Sequence, residues 1–261
     1  MEIKEWAPIV SATAAAIASI GSWYSIYTQG KRDKKSKEAI VVPGIKNIET
    51  MIKNILSDWD VEEPLPKKFS KTTIPMWNYG TTPVFNIKYC FDIENIEDFL
   101  HIEHEPQLFD DYKFVVTKED SSYTLLLSYE NINGKKGHLT SKIVPYLRDL
   151  DSIQANTSSQ IILPDYFIIL LNHYFLNSMD HENKKPFLKL TFMYDDINFK
   201  TWRKEFRIFI PDSFNMKEYK LSTGFHYEII QKKKKVKRLT VQQNNKRIEK
   251  ERRMYDKAWK I

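Results

Sequence analysis

A single cysteine, Cys90, stands in a chain of 261 residues. One thiol excludes an intrachain disulfide framework and the paired thiolates of common zinc and redox motifs. Glycine is scarce as well, with seven in the whole chain. Phosphate loops and dinucleotide folds need several glycines close together so that backbone can approach phosphate, and neither fingerprint occurs. The serines and threonines of SSYT, HLTS and NTSS sit in no nucleophile elbow. There is no internal repeat.

Charge is missing from one long stretch. From Trp6 to Gly30, 25 residues carry no ionisable side chain except tyrosine. A helix needs about 20 such residues to cross a hydrocarbon core of about 30 Å. Trp6 at one end and Trp23, Tyr24 and Tyr27 at the other suit the two interfaces. Lys31, Arg32, Lys34, Lys35 and Lys37 follow directly. Lys and Arg beside a span are retained on the cytoplasmic side. The expectation is a single-pass transmembrane helix in the cell membrane, entering at residues 7–27, with the N-terminus outside and the main domain cytoplasmic. A cleaved signal peptide and a buried soluble helix are the competing readings. The acidic start and the late basic cluster argue against the first. Ala14, Ala18 and Ser22 recur every four positions, a spacing that permits a homo-oligomer through close helix packing.

Aromatic residues make up 13% of the chain, enough for a sizeable core. GIKNIETMIKNILSDW, residues 44–59, places Ile45, Ile48, Ile52, Ile55, Leu56 and Trp59 at helical spacing, and predicts an amphipathic helix. VEEPLPKKF reads as a proline-broken linker. Strands are then expected at 83–92, 112–117, 123–129, 139–144, 160–163, 187–194, 201–210 and 225–230, from their β-branched and aromatic content. Asn133 and Gly134 mark a hairpin turn. Within LPDYFIILLNHYFLNSM, Pro164 suits a first helical position, and Phe167, Ile168, Leu171, Tyr174 and Phe175 form a core-facing stripe. The fold class expected is mainly β: an antiparallel sandwich or barrel-like domain with one or two inserted helices, flanked by the transmembrane helix and a basic C-terminal helix. The divisions expected are 1–30 for tail and span, 31–70 for a basic juxtamembrane segment, helix and linker, 71–231 for the β domain, and 232–261 for a basic, partly helical tail.

Asn78, Gly80, Pro83, Asn86 and Ile87 lie in NYGTTPVFNI. Ile162-Leu163-Pro164 precedes a helix, and Tyr194-Asp195-Asp196-Ile197 leads into a hairpin. This pattern, over about residues 75–210, resembles uncharacterised bacterial proteins with one N-terminal membrane helix followed by a β-sandwich-like domain. The resemblance implies a fold and no activity. Gly80 is expected to hold a positive backbone angle, Pro83 to fix the approach to the strand, and Asn78 and Asn86 to bond turn backbone.

Residues that carry chemistry are few. His101 and His104 are three apart, but no third ligand follows at metal spacing. Asp58/Asp60, Asp110/Asp111, Asp149/Asp151 and Asp195/Asp196 are acidic pairs at loop and turn positions. Cys90 reads as a small core residue. No catalytic, cofactor-binding or metal-binding residue is assigned, and no cofactor is expected.

The C-terminal segment differs. From Gln231 to Ile261, thirteen Lys or Arg face three acids, a net of +10, against +6 for the whole chain. Lys232, Lys233, Lys234, Lys235, Lys237, Arg238, Arg252, Arg253 and Trp259, with the Lys31–Lys37 cluster, are the candidate polyanion-binding residues. An anionic lipid surface ranks above nucleic acid because the span would hold this tail beside a leaflet; the protein partner stays open. The functional expectation is a membrane-tethered cytoplasmic binding or scaffold module without catalytic activity. The alternatives are a sensor–effector that binds a small ligand such as a nucleotide and clusters its helices, as in bacterial antiphage defence, and an unrecognised hydrolase.

Overall fold

A computed structural model describes residues 19–32, 38–52, 55–56, 69–100, 103–104, 112–119, 122–130, 136–177 and 184–235. Helix α1 covers residues 19–32. The strands are β1 (Val41–Pro43), β2 (Lys46–Met51), β3 (Thr73–Asn78), β4 (Val84–Ile93), β5 (Glu103–His104), β6 (Tyr112–Glu119), β7 (Ser122–Glu130), β8 (Lys136–Ile143), β9 (Tyr146–Ile153) and β10 (Thr157–Ile162). Helix α2 (Asp165–Leu176) follows, then β11 (Leu188–Asp195), β12 (Thr201–Phe209), β13 (Asn215–Lys217) and β14 (Lys220–Lys235). The protein is mainly β, and every ladder is antiparallel.

Three sheets form. The largest has seven strands, running β14-β12-β11-β4-β9, with β13 and β2 both paired to β14. A three-stranded sheet runs β1-β3-β10, and a four-stranded one runs β5-β6-β7-β8. Buried residues from all three sheets and from α2 contribute to one apolar cluster. Phe225 of β14 stacks on Phe69 with centroids 6.5 Å apart and meets Phe167 of α2 at 6.3 Å. Burying each such ring contributes about 2 to 3 kcal/mol, which fixes where strand, turn and helix meet. Helix α2 is buried on all sides from Tyr166 to His173. It is a core helix with no solvent face, and the expected single stripe is too narrow a description. Pro164 caps it with extended geometry (φ −71°, ψ 142°), one place before the first helical residue.

The predicted helix over 44–59 is corrected: residues 46–51 form strand β2. Ile48 and Ile52 are buried while Asn47, Glu49 and Met51 are exposed, so the two-residue period governs. The isoleucine spacing fitted a helix, but pairing with Lys220–Phe225 of β14 supplies ladder bonds that local propensity cannot. The β1–β3 and β2–β14 ladders also carry residues 41–51 into the sheets.

The expected single-pass, cell-membrane topology is corrected too. Among the described residues, no helix is long and apolar enough to cross a membrane. The described part of the stretch, residues 19–32, contains Ser22, Ser25, Thr28, Gln29, Lys31 and Arg32. Residues 7–18 lie outside the described residues. The outside N-terminus and cytoplasmic domain rested on the span and lose their support with it.

Gly80 has no positive backbone angle, contrary to expectation; close approach is what demands glycine there. A Cβ at this position would meet Glu38 O at 2.4 Å and Ala39 Cα at 2.6 Å. Asn78, fully buried, holds the turn: its Nδ2 donates to Thr82 O at 2.8 Å, and its Oδ1 accepts from Gly80 N at 3.0 Å. Gly80→Ala should therefore lower unfolding stability by about 2 kcal/mol through overpacking against fixed backbone. Urea denaturation of the full chain checks this; an unchanged midpoint would mean the 38–40 segment gives way freely.

Candidate anionic-partner interface

The basic run expected to open a partly helical tail is instead the end of a strand. Lys232–Lys235 complete β14, and the ladder sets Lys235 opposite Trp202 and Lys234 opposite Arg203 of β12. Strand pairing along β12 selects extended geometry here. Two register shifts, at Arg203/Glu205 and Glu205/Phe206, mark bulges in this ladder. Lys234 is exposed.

The remaining candidates are scattered. Lys31 and Arg32 end α1, with Lys31 Nζ 4.6 Å from the centre of the Tyr27 ring. Lys34, Lys35, Lys37, Lys237, Arg238, Arg252, Arg253 and Trp259 lie outside the described residues, as do the expected tail helix and the Asn133–Gly134 turn. The sequence predicts a strand over 201–210, which is β12, but not its pairing: TWRKEFRIF brings Trp202 and Arg203 beside the lysine run. Its alternating basic residues were a usable signal, but the partner strand was not legible.

Acids beside the run are already engaged. Glu205, buried, pairs with Arg203 and lies 3.4 Å from Lys189 Nζ. Arg207 forks onto Glu94 with two contacts of 2.6 Å and reaches Glu228 at 3.3 Å. The hydrogen bonds from Arg207 hold the Glu94 carboxyl below its usual range. Lys204 Nζ donates to Val41 O at 2.9 Å, tying β12 to β1. Beyond Gln231 the strand has four successive lysines and no acid. Arg203 faces Lys234 across the ladder, and its own charge is met by Glu205.

The other chemistry-bearing residues have structural employment. Cys90 is half-buried beside Thr191 rather than in the core, and burial pushes its thiol up, away from thiolate chemistry. His173 of α2 stacks on Phe114 at 4.3 Å, with its Nδ1 3.1 Å from the Tyr112 hydroxyl. His104 lies in strand β5, opposite Phe114, so the His101/His104 spacing does not fall on a helix face; His101 is outside the described residues. Among the described residues, no group of His, Cys, Asp or Glu could hold a metal ion.

Asp195 and Asp196 build the β11–β12 hairpin. Asp195 accepts from Thr201 Oγ1 at 2.6 Å and from Asn86 Nδ2 at 3.0 Å. Asn86 sits in the left-handed region (φ 47°) opposite a bulge in β11, so it bonds a carboxylate and not turn backbone. Asp196 Oδ1 accepts the amides of Asn198 (2.8 Å) and Lys200 (3.0 Å), and Oδ2 accepts Trp202 Nε1 (2.8 Å). Asp196 thus seats the indole beside the lysine run. No protein-family model, curated protein or solved structure matches this chain.

Burial raises the Asp196 carboxyl, but the Trp202 and amide hydrogen bonds outweigh it and leave the pKa below its ordinary value. A depressed folded pKa stabilises the fold above the unfolded value and loses that contribution as pH falls through the folded one. Asp196→Asn should therefore be less stable than wild type near neutrality, with the gap narrowing below about pH 4. Urea midpoints from neutral to acid pH measure it; a gap constant with pH would exclude the carboxylate as its source.

Proposed function

We propose that this chain is a non-catalytic binding module that holds an anionic partner on the basic end of β14, using a sandwich-like β domain as its rigid support. One observation carries the reading: β14 continues through four consecutive lysines, of which Lys234 and Lys235 are in register with Arg203 and Trp202, and Glu205, the acid of that part of the ladder, is paired with Arg203. A run of four lysines gains most from a ligand that supplies negative charge. The engaged state of Asp195, Asp196, Glu205 and His173 supports a binding role over a hydrolytic one. The preference for a lipid surface loses its ground with the span.

Heparin serves as a generic polyanion probe. The full chain should stay on a heparin column at physiological salt, about 0.15 M, where charges beyond a Debye length of about 8 Å are screened. A variant with Lys232→Gln, Lys233→Gln, Lys234→Gln and Lys235→Gln should elute at clearly lower salt with an unchanged circular-dichroism melt. Flow-through of the wild type, or identical elution of the two proteins, would overturn the proposal.

A further inference from the structure

Among the described residues, the C-terminal part of β14 has one edge without a ladder partner. Residues 220–225 have β2 as a ladder partner, and 220–222 also pair with β13. From His226 to Lys235, β12 is the partner on one edge, and among the described residues no strand pairs the other. That edge is long, contains no proline and carries two exposed isoleucines, Ile229 at 55% and Ile230 at 42%. Strand edges of this type recruit another strand unless something blunts them.

We propose that this edge accepts an extended acidic peptide as an added β-strand. The inference rests on the anionic-partner reading and names its class and mode. Backbone groups of 226–235 would supply the ladder bonds, and Ile229 and Ile230 the apolar contacts on alternate faces. Lys232–Lys235 provide the selection. A second copy paired over the lysine run itself would set lysine opposite lysine and is repelled, whereas acidic side chains at alternate positions neutralise the run. The charge that discourages self-pairing therefore specifies the partner's sign. Nucleic acid would use the lysines but leave the edge amides and isoleucines without a matching surface.

The test uses the full chain and an alternating Glu-Val octapeptide, followed by fluorescence anisotropy and by hydrogen exchange of the 226–235 amides. Binding should slow exchange across this stretch. N-methylating four consecutive central residues removes the peptide's donors from both of its edges and should weaken binding at least about tenfold. Replacing Lys232–Lys235 with glutamine should weaken it similarly. Equal affinity for the methylated peptide would overturn strand addition while leaving the anionic-partner reading intact. So would tight binding of an oligothymidine without binding of the peptide. If a Lys-Val octapeptide binds as well as the acidic one, or if neither the peptide nor the oligothymidine binds, both ideas fall.

Discussion

The ladder along β14 is the constraint on which the rest depends. This one strand of sixteen residues pairs with β2 and β13 at its start and with β12 over its second part. Phe225 sits at the changeover, buried against Phe69 and Phe167. Buried backbone polar groups must find partners, so a strand anchored by its core phenylalanine draws in whichever segments can complete its ladder. Residues 46–51 are one such segment, which is why they are extended despite a helical spacing of isoleucines.

Among the described residues, the strand that organises the core keeps a single ladder partner as it leaves it. Beyond His226 it keeps β12 on one edge, and its residues turn from apolar to basic. Conserved geometry is not needed to see the tension: backbone pairing favours another strand there, while the lysines reject any strand of like charge. Trp202, held by Asp196, stiffens the β12 side of this end. Fold and proposed interface thus share one hydrogen-bonded element, and the hairpin acids that read as possible acid–base pairs serve to position it.

Much was legible in the sequence because the relevant forces are local. Alternating β-branched and aromatic residues marked β4, β6, β7, β11 and β12, and Pro164 before an apolar run marked α2. Asn78 was readable as a turn residue because its short amide reaches backbone within a few positions. The basic character of the chain's end was plain from composition alone. What misled was equally local. A long uncharged stretch near the start read as a membrane span, but its described part carries small and polar residues, and among the described residues no helix is long and apolar enough to cross a membrane.

Sequence by itself determined the mainly β class, the positions of most strands, the core helix and the +10 segment, since each follows from side-chain character and periods of two or 3.6 residues. Tertiary structure decided which strands meet, and nothing local encodes that. It turned 46–51 into a strand by offering β14 as a partner. It made Gly80 obligatory through the approach of residues 38–40 rather than through its own backbone angle. It also placed Lys232–Lys235 in an ordered strand beside Trp202 and Arg203, because ladder bonds and register are set between segments far apart in the chain.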